Sequence, residues 1–194
     1  IQFIAKNEQA KGEVQKRLAE TKMEALQSQM NPHFIFNAMN SIQNYIIDNN
    51  TDDALMYMGE FSKLIRQTLN NSSKTKINLL EELQYLQSYV VLENMRFKEK
   101  INFDLNISDE VDIFEIQMPP MLIQPFLENT FIHAFDSFSV KPKLSLSFSL
   151  QHKNLIIEIK DNGKGLDVKN LNLLTQSKGI KLAQERIFLF QPNE

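Results

Sequence analysis

A proline stands inside the longest helical pattern of the chain. Apolar residues recur at steps of three and four through Leu26, Met30 and Phe34, then Ile35, Met39, Ile42 and Ile46, the spacing of a helix with a buried face. Pro32 falls within that run and is followed directly by His33. Inside a helix a proline removes one backbone hydrogen bond and clashes with the carbonyl four residues back, here Ser28, at a cost of about 3 kcal/mol. It also turns Asn31 away from helical geometry. Two readings of these residues stand open. Either Pro32 is a plain break between two helices and His33 a packing residue, or the distortion opens the backbone and exposes one face of the imidazole. In the second reading Gln29 and Asn37, four residues to either side, share that face.

Residues 1 to about 48 read as one long helix interrupted near Pro32. Between Lys6 and Lys22 the apolar positions thin to Ala10, Val14 and Leu18, too narrow a stripe for a domain core and suited to a coiled-coil seam. From Leu26 onward apolar residues occupy more than one face, which calls for several helical neighbours and most simply for a second copy of the chain. The polar run Asp48–Asp53 is a turn, with Thr51 or Asp52 as cap of the next helix. That helix carries Ala54, Leu55, Met58, Phe61, Leu64, Ile65, Thr68 and Leu69, and the run Asn70–Ser73 stops it. Residues 1–72 therefore read as a helical hairpin, two of which make a four-helix bundle.

The second domain, 73–194, reads as α+β. Lys76–Leu79 is a short extended entry, and Leu79–Lys100 a helix. Ile101–Ile107 alternates as a half-buried strand, and Val111–Met118 is a weaker one ended by Pro119 and Pro120. Met121–Phe135 has helical length and apolar character. Leu144–Leu150 and Leu155–Lys160 are strands joined by a turn, and a helix runs from about Gly179 to Phe190. Helices with antiparallel strands in this order imply a sandwich with helices on one face of a sheet.

Composition narrows the chemistry. The formal net charge is -3 over 194 residues, so no basic footprint points to nucleic acid or an anionic membrane surface. Without Cys there is neither a disulfide framework nor a thiolate metal site, which suits the cytoplasm. No apolar run reaches the ~18 residues that span a bilayer. A start at Ile-Gln-Phe-Ile without Met, and without a signal-peptide pattern, reads as a piece of a longer protein.

Three stretches of the second domain could do chemistry. In Gln124–His133 the polar Asn129 and His133 lie four apart on an apolar helix, and Asn129 offers a side-chain oxygen of the kind Mg²⁺ takes alongside waters and substrate phosphates. Asp161-Asn162-Gly163-Lys164-Gly165 follows a strand; its glycines allow close approach of a ligand, and Asp161 can accept from an exocyclic amine such as that of adenine. Ser177-Lys178-Gly179 opens a helix, where free N–H groups and a lysine suit phosphate. Each has a plain structural reading too: a helix with one wet edge, an Asp-Asn-Gly turn, an ordinary helix start.

The stretch Gln29-Met-Asn-Pro-His-Phe-Ile-Phe-Asn37 resembles the phospho-acceptor box of sensor histidine kinases of the autolysin-sensor type. The later stretches follow in that family's order: Glu128-Asn129-x-x-x-His133, Asp161-x-Gly163-x-Gly165, then the helix opened by Gly179. Tyr89–Phe97 and the Met-Pro-Pro at 118–120 extend the resemblance over almost the whole chain. It implies a Bergerat-type (GHKL) ATP-binding sandwich, as in gyrase-type ATPases, behind a dimerisation hairpin. It implies ATP and Mg²⁺ as ligands. His33 would attack the γ-phosphate and Asn129 bind Mg²⁺. Asp161 would read adenine, while Gly163, Gly165 and Gly179 shape the pocket and His133 and Lys178 neighbour phosphate. Asn37 would orient the phosphohistidine or a hydrolytic water. The partners implied are a second copy, a response regulator whose aspartate receives the phosphoryl group, and a membrane anchor upstream of residue 1, leaving this portion cytoplasmic.

The sequence departs from the family pattern at several places. Lys181 replaces the second glycine of the last box, and the segment between Leu166 and Gly179 is short. The chain stops where further strands usually close the sheet. Phe34 holds the place at which common histidine kinases carry an acid. Gln124 stands where gyrase-type enzymes place a catalytic Glu, which favours transfer to His33 over hydrolysis. Two rival functions fit the same residues: a pseudokinase scaffold that dimerises and binds nucleotide without phosphotransfer, and an ATPase switch using the same pocket.

Overall fold

The computed structural model describes residues 32–97, 101–135, 141–165 and 178–190, with the side chains of Pro32, His33 and Lys178 outside the description. The expected helix and seam before Pro32, Gln29 and Ser177 also lie outside the described residues. By its internal contacts the chain divides into two units, the break falling between Ser73 and Lys74.

The first unit is a pair of helices, α1 (Pro32–Ile47) and α2 (Thr51–Ser72). The buried positions of α1, Phe34, Ala38 and Ser41, fall at i, i+4 and i+7, one stripe of a 3.6-residue helix. They face Ala54, Tyr57, Leu64 and Thr68 of α2, with ring centroids 6.3 Å apart for Phe34–Phe61 and 6.1 Å for Tyr45–Tyr57. The cap of α2 is Asn50, one residue earlier than expected: its side-chain oxygen accepts from the Asp53 N–H at 3.4 Å, because a short carboxamide at N-cap reaches the third amide. The polar run Asn70–Ser73 does stop α2. The helix runs to Ser72, and the Ser72 and Ser73 hydroxyls donate back to the Leu69 and Asn70 carbonyls at 2.8 and 3.0 Å, satisfying groups that a helix end leaves open.

The second unit begins with β1 (Ile77–Asn78) and α3 (Leu79–Arg96). Asn78 caps α3 in a reciprocal box with Glu81. Next come β2 (Asn102–Ile107), β3 (Gln117–Met118) and α4 (Gln124–Asn129), which runs into a π-helical turn (Thr130–Ala134). The strands β4 (Lys143–Gln151) and β5 (Asn154–Asp161) and the helix α5 (Lys178–Phe190) complete it. The class is α+β.

The main sheet has the order β2-β4-β5 and is mixed, not all antiparallel. β4 and β5 form the expected hairpin, but β2 runs parallel to β4, with Phe103 opposite Leu144 and Ile107 opposite Phe148. Parallel neighbours need a long crossover, and the excursion through β3 and α4 supplies it. One face of the sheet is apolar, with Leu144, Leu146 and Phe148 fully buried at its centre. The other carries Ser145, Ser147 and Ser149. Of the weak strand expected over 111–118 only β3 forms, paired with β1. Asp112 turns the chain before it, accepting from the Phe114 and Glu115 N–H groups.

The expected helix over 121–135 is shorter than its apolar length implies. Met121 has φ 53°, a left-handed conformation that ends helical geometry for an L-residue. The helix starts only at Gln124, with Pro125 in its first turn, where a missing N–H is harmless. Phe131, in the π-helical turn, centres an aromatic cluster with Tyr89, Phe97 and Phe135 at centroid distances of 5.8 to 6.2 Å.

Candidate active site

On α1, His33 and Asn37 are separated by one helical turn and share a face of the backbone. Phe34, next to His33 in the chain, is buried at 5% exposure, so the residue standing where common kinases carry an acid is a core ring packed on Phe61. Asn37 is half-buried, and its backbone carbonyl accepts from the Ser41 hydroxyl at 2.9 Å. The other side of the hairpin remains apolar and exposed at Ile35, Met39 and Ile46 on α1 and at Leu55 and Met58 on α2.

In the second unit the sequence stretches singled out above converge. Asn129 closes α4 and is half-buried; His133 sits exposed in the π-helical turn that follows. The loop after β5 lies directly against the end of that turn. A Cβ on Gly163 would stand 2.5 Å from both the Cβ and the carbonyl oxygen of Ala134, and the Lys164 N–H donates to the Ala134 carbonyl at 3.3 Å. Glycine at 163 is therefore a packing requirement. Gly165 has open space around it but a φ of 68°, so there the requirement is conformational.

Asp161 ends β5 exposed, and its Oδ1 accepts from the Gly163 N–H at 3.0 Å. Asn162 anchors the loop to the start of β4. Its Oδ1 accepts from the Lys143 N–H at 2.6 Å and its Nδ2 donates to the Lys141 carbonyl at 2.9 Å. The third stretch meets the first: a Cβ on Gly179 would lie 3.0 Å from the Pro125 side chain, so α5 approaches the start of α4 closely at this glycine. Lys178 is the first residue of α5. Lys181, at the place of the second glycine, is exposed, so its side chain has solvent to occupy. Gln124 is buried and accepts from the Tyr85 hydroxyl at 2.8 Å, a structural bond between α3 and α4.

Sequence reasoning missed the residues beneath this site. Glu82 of α3 is fully buried, and its carboxyl accepts from the Met121 and Ile123 N–H groups at 2.8 and 3.1 Å. Burial pushes its pKa up to about 7, against the opposing pull of those N–H groups and of Arg186. Arg186 of α5 donates from Nη1 to the Pro120 and Met121 carbonyls at 3.0 and 2.9 Å, and burial lowers its pKa. A signal for Glu82 was available, since it shares the stripe of Leu79, Leu83 and Leu86. Arg186 likewise lies on the face of Gly179 and Ala183.

Among the described residues no three His, Cys, Asp or Glu side chains gather into a metal cage. A lone carboxamide oxygen at Asn129 fits Mg²⁺, which keeps several waters and takes further oxygens from substrate phosphate. Nor is any described helix long and apolar enough to cross a membrane.

The histidine kinase family profile matches residues 21–101. The chain is 30% identical over 161 residues to the sensor protein LytS of Oceanobacillus iheyensis, covering 83% of this chain and 27% of that protein. With the Enterococcus faecalis sensor protein LytS it shares 30% over 191 residues, 95% of this chain and 32% of the relative. With the sensor protein kinase HptS of Staphylococcus aureus strain USA300 it shares 31% over 163 residues, 84% and 30%. The chain thus spans less than a third of the length of these relatives. A solved histidine kinase domain from a blue-light activated kinase of Erythrobacter litoralis aligns with a TM-score of 0.47 at 16% identity, over 89% of this chain and 84% of that one, a likeness too loose to establish a shared fold.

Proposed function

The chain belongs to the LytS-like sensor histidine kinases, and from that premise we propose that it is the cytoplasmic kinase portion of a two-component sensor that phosphorylates its own His33 from Mg-ATP. The observation that carries the nucleotide half of this reading is the meeting of the Asn129–Ala134 segment with the Asp161–Gly165 loop at Ala134 and Gly163. That junction supports a site with a carboxamide oxygen and a carboxylate on neighbouring walls of a Bergerat-type sandwich. Asp161 accepts from the adenine amine and Asn129 offers its oxygen to the metal. Gly163 and Gly165 let the loop lie close, and His133 and Lys178 stand near phosphate.

The reaction is an in-line displacement. A lone pair of the neutral His33 imidazole attacks the γ-phosphorus, the bond to the bridging oxygen breaks with ADP leaving, and the second ring nitrogen releases its proton to solvent water. An imidazole with a pKa near about 6.5 is largely neutral at pH 7 and nucleophilic. Mg²⁺ neutralises developing charge on the phosphates; the protein contributes position and orientation. Asn37, one turn from His33, orients the phosphohistidine or a water. The exposed apolar face of the hairpin, Ile35, Met39, Ile46, Leu55 and Met58, supports a homodimer closed as a four-helix bundle. The phosphoryl group passes to a response-regulator aspartate, and the parent protein is anchored in the membrane upstream of residue 1.

Gln124 supports transfer over an ATPase switch, since a buried carboxamide held by Tyr85 cannot act as a general base toward water. The scaffold reading rests on Lys181, which is exposed, and on the short segment between Leu166 and Gly179, which lies outside the described residues; nucleotide bound without phosphotransfer would favour it. Alkaline-stable modification mapping after incubation with Mg-ATP tests the proposal: a phosphoryl group on His33 is expected, and ATP consumed to free phosphate with His33 unmodified contradicts it.

A further inference from the structure

The loop that launches α4 is held in a way the proposed reaction does not by itself require. Met121 is 2% exposed and left-handed without being glycine. Both of its backbone polar groups are taken by ionisable side chains. Its N–H donates to the buried Glu82 of α3, and its carbonyl accepts from Arg186 of α5. Glu82 accepts in addition from Ile123 N–H, and Arg186 donates to the Pro120 carbonyl. A non-glycine residue persists in this conformation only where its surroundings over-determine it, and such residues gather at functional sites.

What the loop controls follows from the chain. Gln124 opens α4 directly after it, and Asn129 closes the same six-residue helix, so a shift or tilt at 120–123 is carried rigidly to the Asn129 carboxamide. α5 touches α4 independently at Gly179 and Pro125, so Arg186 and Gly179, about two helical turns apart on one face of α5, grip the start of α4 at two points. Asp161 has an anchor of its own on β4, the Asn162 bonds to Lys141 and Lys143, besides the contact of its loop with Ala134.

We propose that Arg186, working against Glu82 across the Met121 loop, is a positioning residue for Asn129, fixing its side-chain oxygen where the metal of Mg-ATP is met. This rests on the nucleotide site proposed above. Because the clamp serves Asn129 and the Asn162 device serves Asp161, loss of Arg186 should weaken Mg-ATP selectively and leave the adenine contact alone.

The test is nucleotide binding by the intact protein, with adenosine measured by chemical-shift changes and Mg-ATP by calorimetry. Arg186→Met should raise the dissociation constant for Mg-ATP about tenfold while adenosine binding stays within twofold of wild type. Arg186→Lys, which keeps a charged donor, should fall between the two. Equal loss of Mg-ATP and adenosine overturns the inference, because it marks a general structural role; so does an unchanged Mg-ATP affinity. If Arg186→Met does not fold, Arg186→Lys and Glu82→Gln carry the same comparison: selective loss of Mg-ATP supports the clamp, and equal loss or no loss overturns it. A wild type that binds neither ligand contradicts the nucleotide site itself, a failure distinct from that of the clamp.

Discussion

Glu82 and Arg186, far apart in the chain, hold the two backbone polar groups of a single residue: the Met121 N–H donates to Glu82 at 2.8 Å and the Met121 carbonyl accepts from Arg186 at 2.9 Å. Neither residue carries a recognisable motif. Their effect is to stabilise a strained turn without glycine, immediately before the helix that bears Asn129.

A dependence of stability on pH follows. Burial raises the Glu82 pKa from its ordinary 4.5 to about 7, so the folded chain binds this proton more tightly than the unfolded one. The contribution of the group to stability is fully present below about pH 4.5 and is lost as pH rises to about 7. At about 1.4 kcal/mol per pH unit the change amounts to about 3 kcal/mol. Denaturant unfolding of wild type and Glu82→Gln across pH 4 to 8 should show the difference between the two curves moving by about that amount. Parallel curves contradict the assignment.

Gly163 and Gly165 should respond to alanine differently. At Gly163 the added methyl meets the Ala134 backbone at 2.5 Å, and backbone cannot step aside cheaply. Gly163→Ala should part the loop from the π-helical turn and weaken adenine-nucleotide binding at least tenfold. At Gly165, with open space and φ 68°, alanine costs only the left-handed strain, about 1 kcal/mol, and stability falls by that amount with binding largely kept. Calorimetric titration and denaturant unfolding separate the two.

Much of this architecture is legible in the sequence. The alternation of β4 and β5 and the stripe of α2 are period signals that need no partner to be read. The parallel register of β2 on β4 is not local information, because it depends on where the crossover returns the chain. The shortening of α4 depends on Met121, whose conformation is set by Glu82 and Arg186 from other elements. At the site, Asp161, Gly163 and Gly179 could be singled out as turn and helix-start residues. That Gly163 serves Ala134 and Gly179 serves Pro125 is visible only in three dimensions.

The hairpin should associate through its exposed face and fold through its buried one. Met39→Lys and Leu55→Lys place charge on residues 58% and 62% exposed, so they should leave hairpin helicity unchanged while shifting sedimentation from dimer to monomer. Phe34→Ala removes a ring at 5% exposure packed on Phe61 and should cost about 3–5 kcal/mol of stability. A monomeric wild type contradicts the dimer.

Asn162 should matter to nucleotide without touching it. Asn162→Ala frees the loop from Lys141 and Lys143 and removes the anchor of Asp161. Adenosine affinity should drop about fivefold or more, with melting temperature within a few degrees of wild type; unchanged affinity contradicts the anchoring role.

The most direct measurement is transfer of label from γ-labelled ATP with Mg²⁺ to the intact protein, beside a His33→Gln variant. If His33 is the phospho-acceptor, the wild type carries acid-labile, alkali-stable label and the variant carries none. Label that persists on His33→Gln, or phosphate released equally by both proteins with no label on either, contradicts that role.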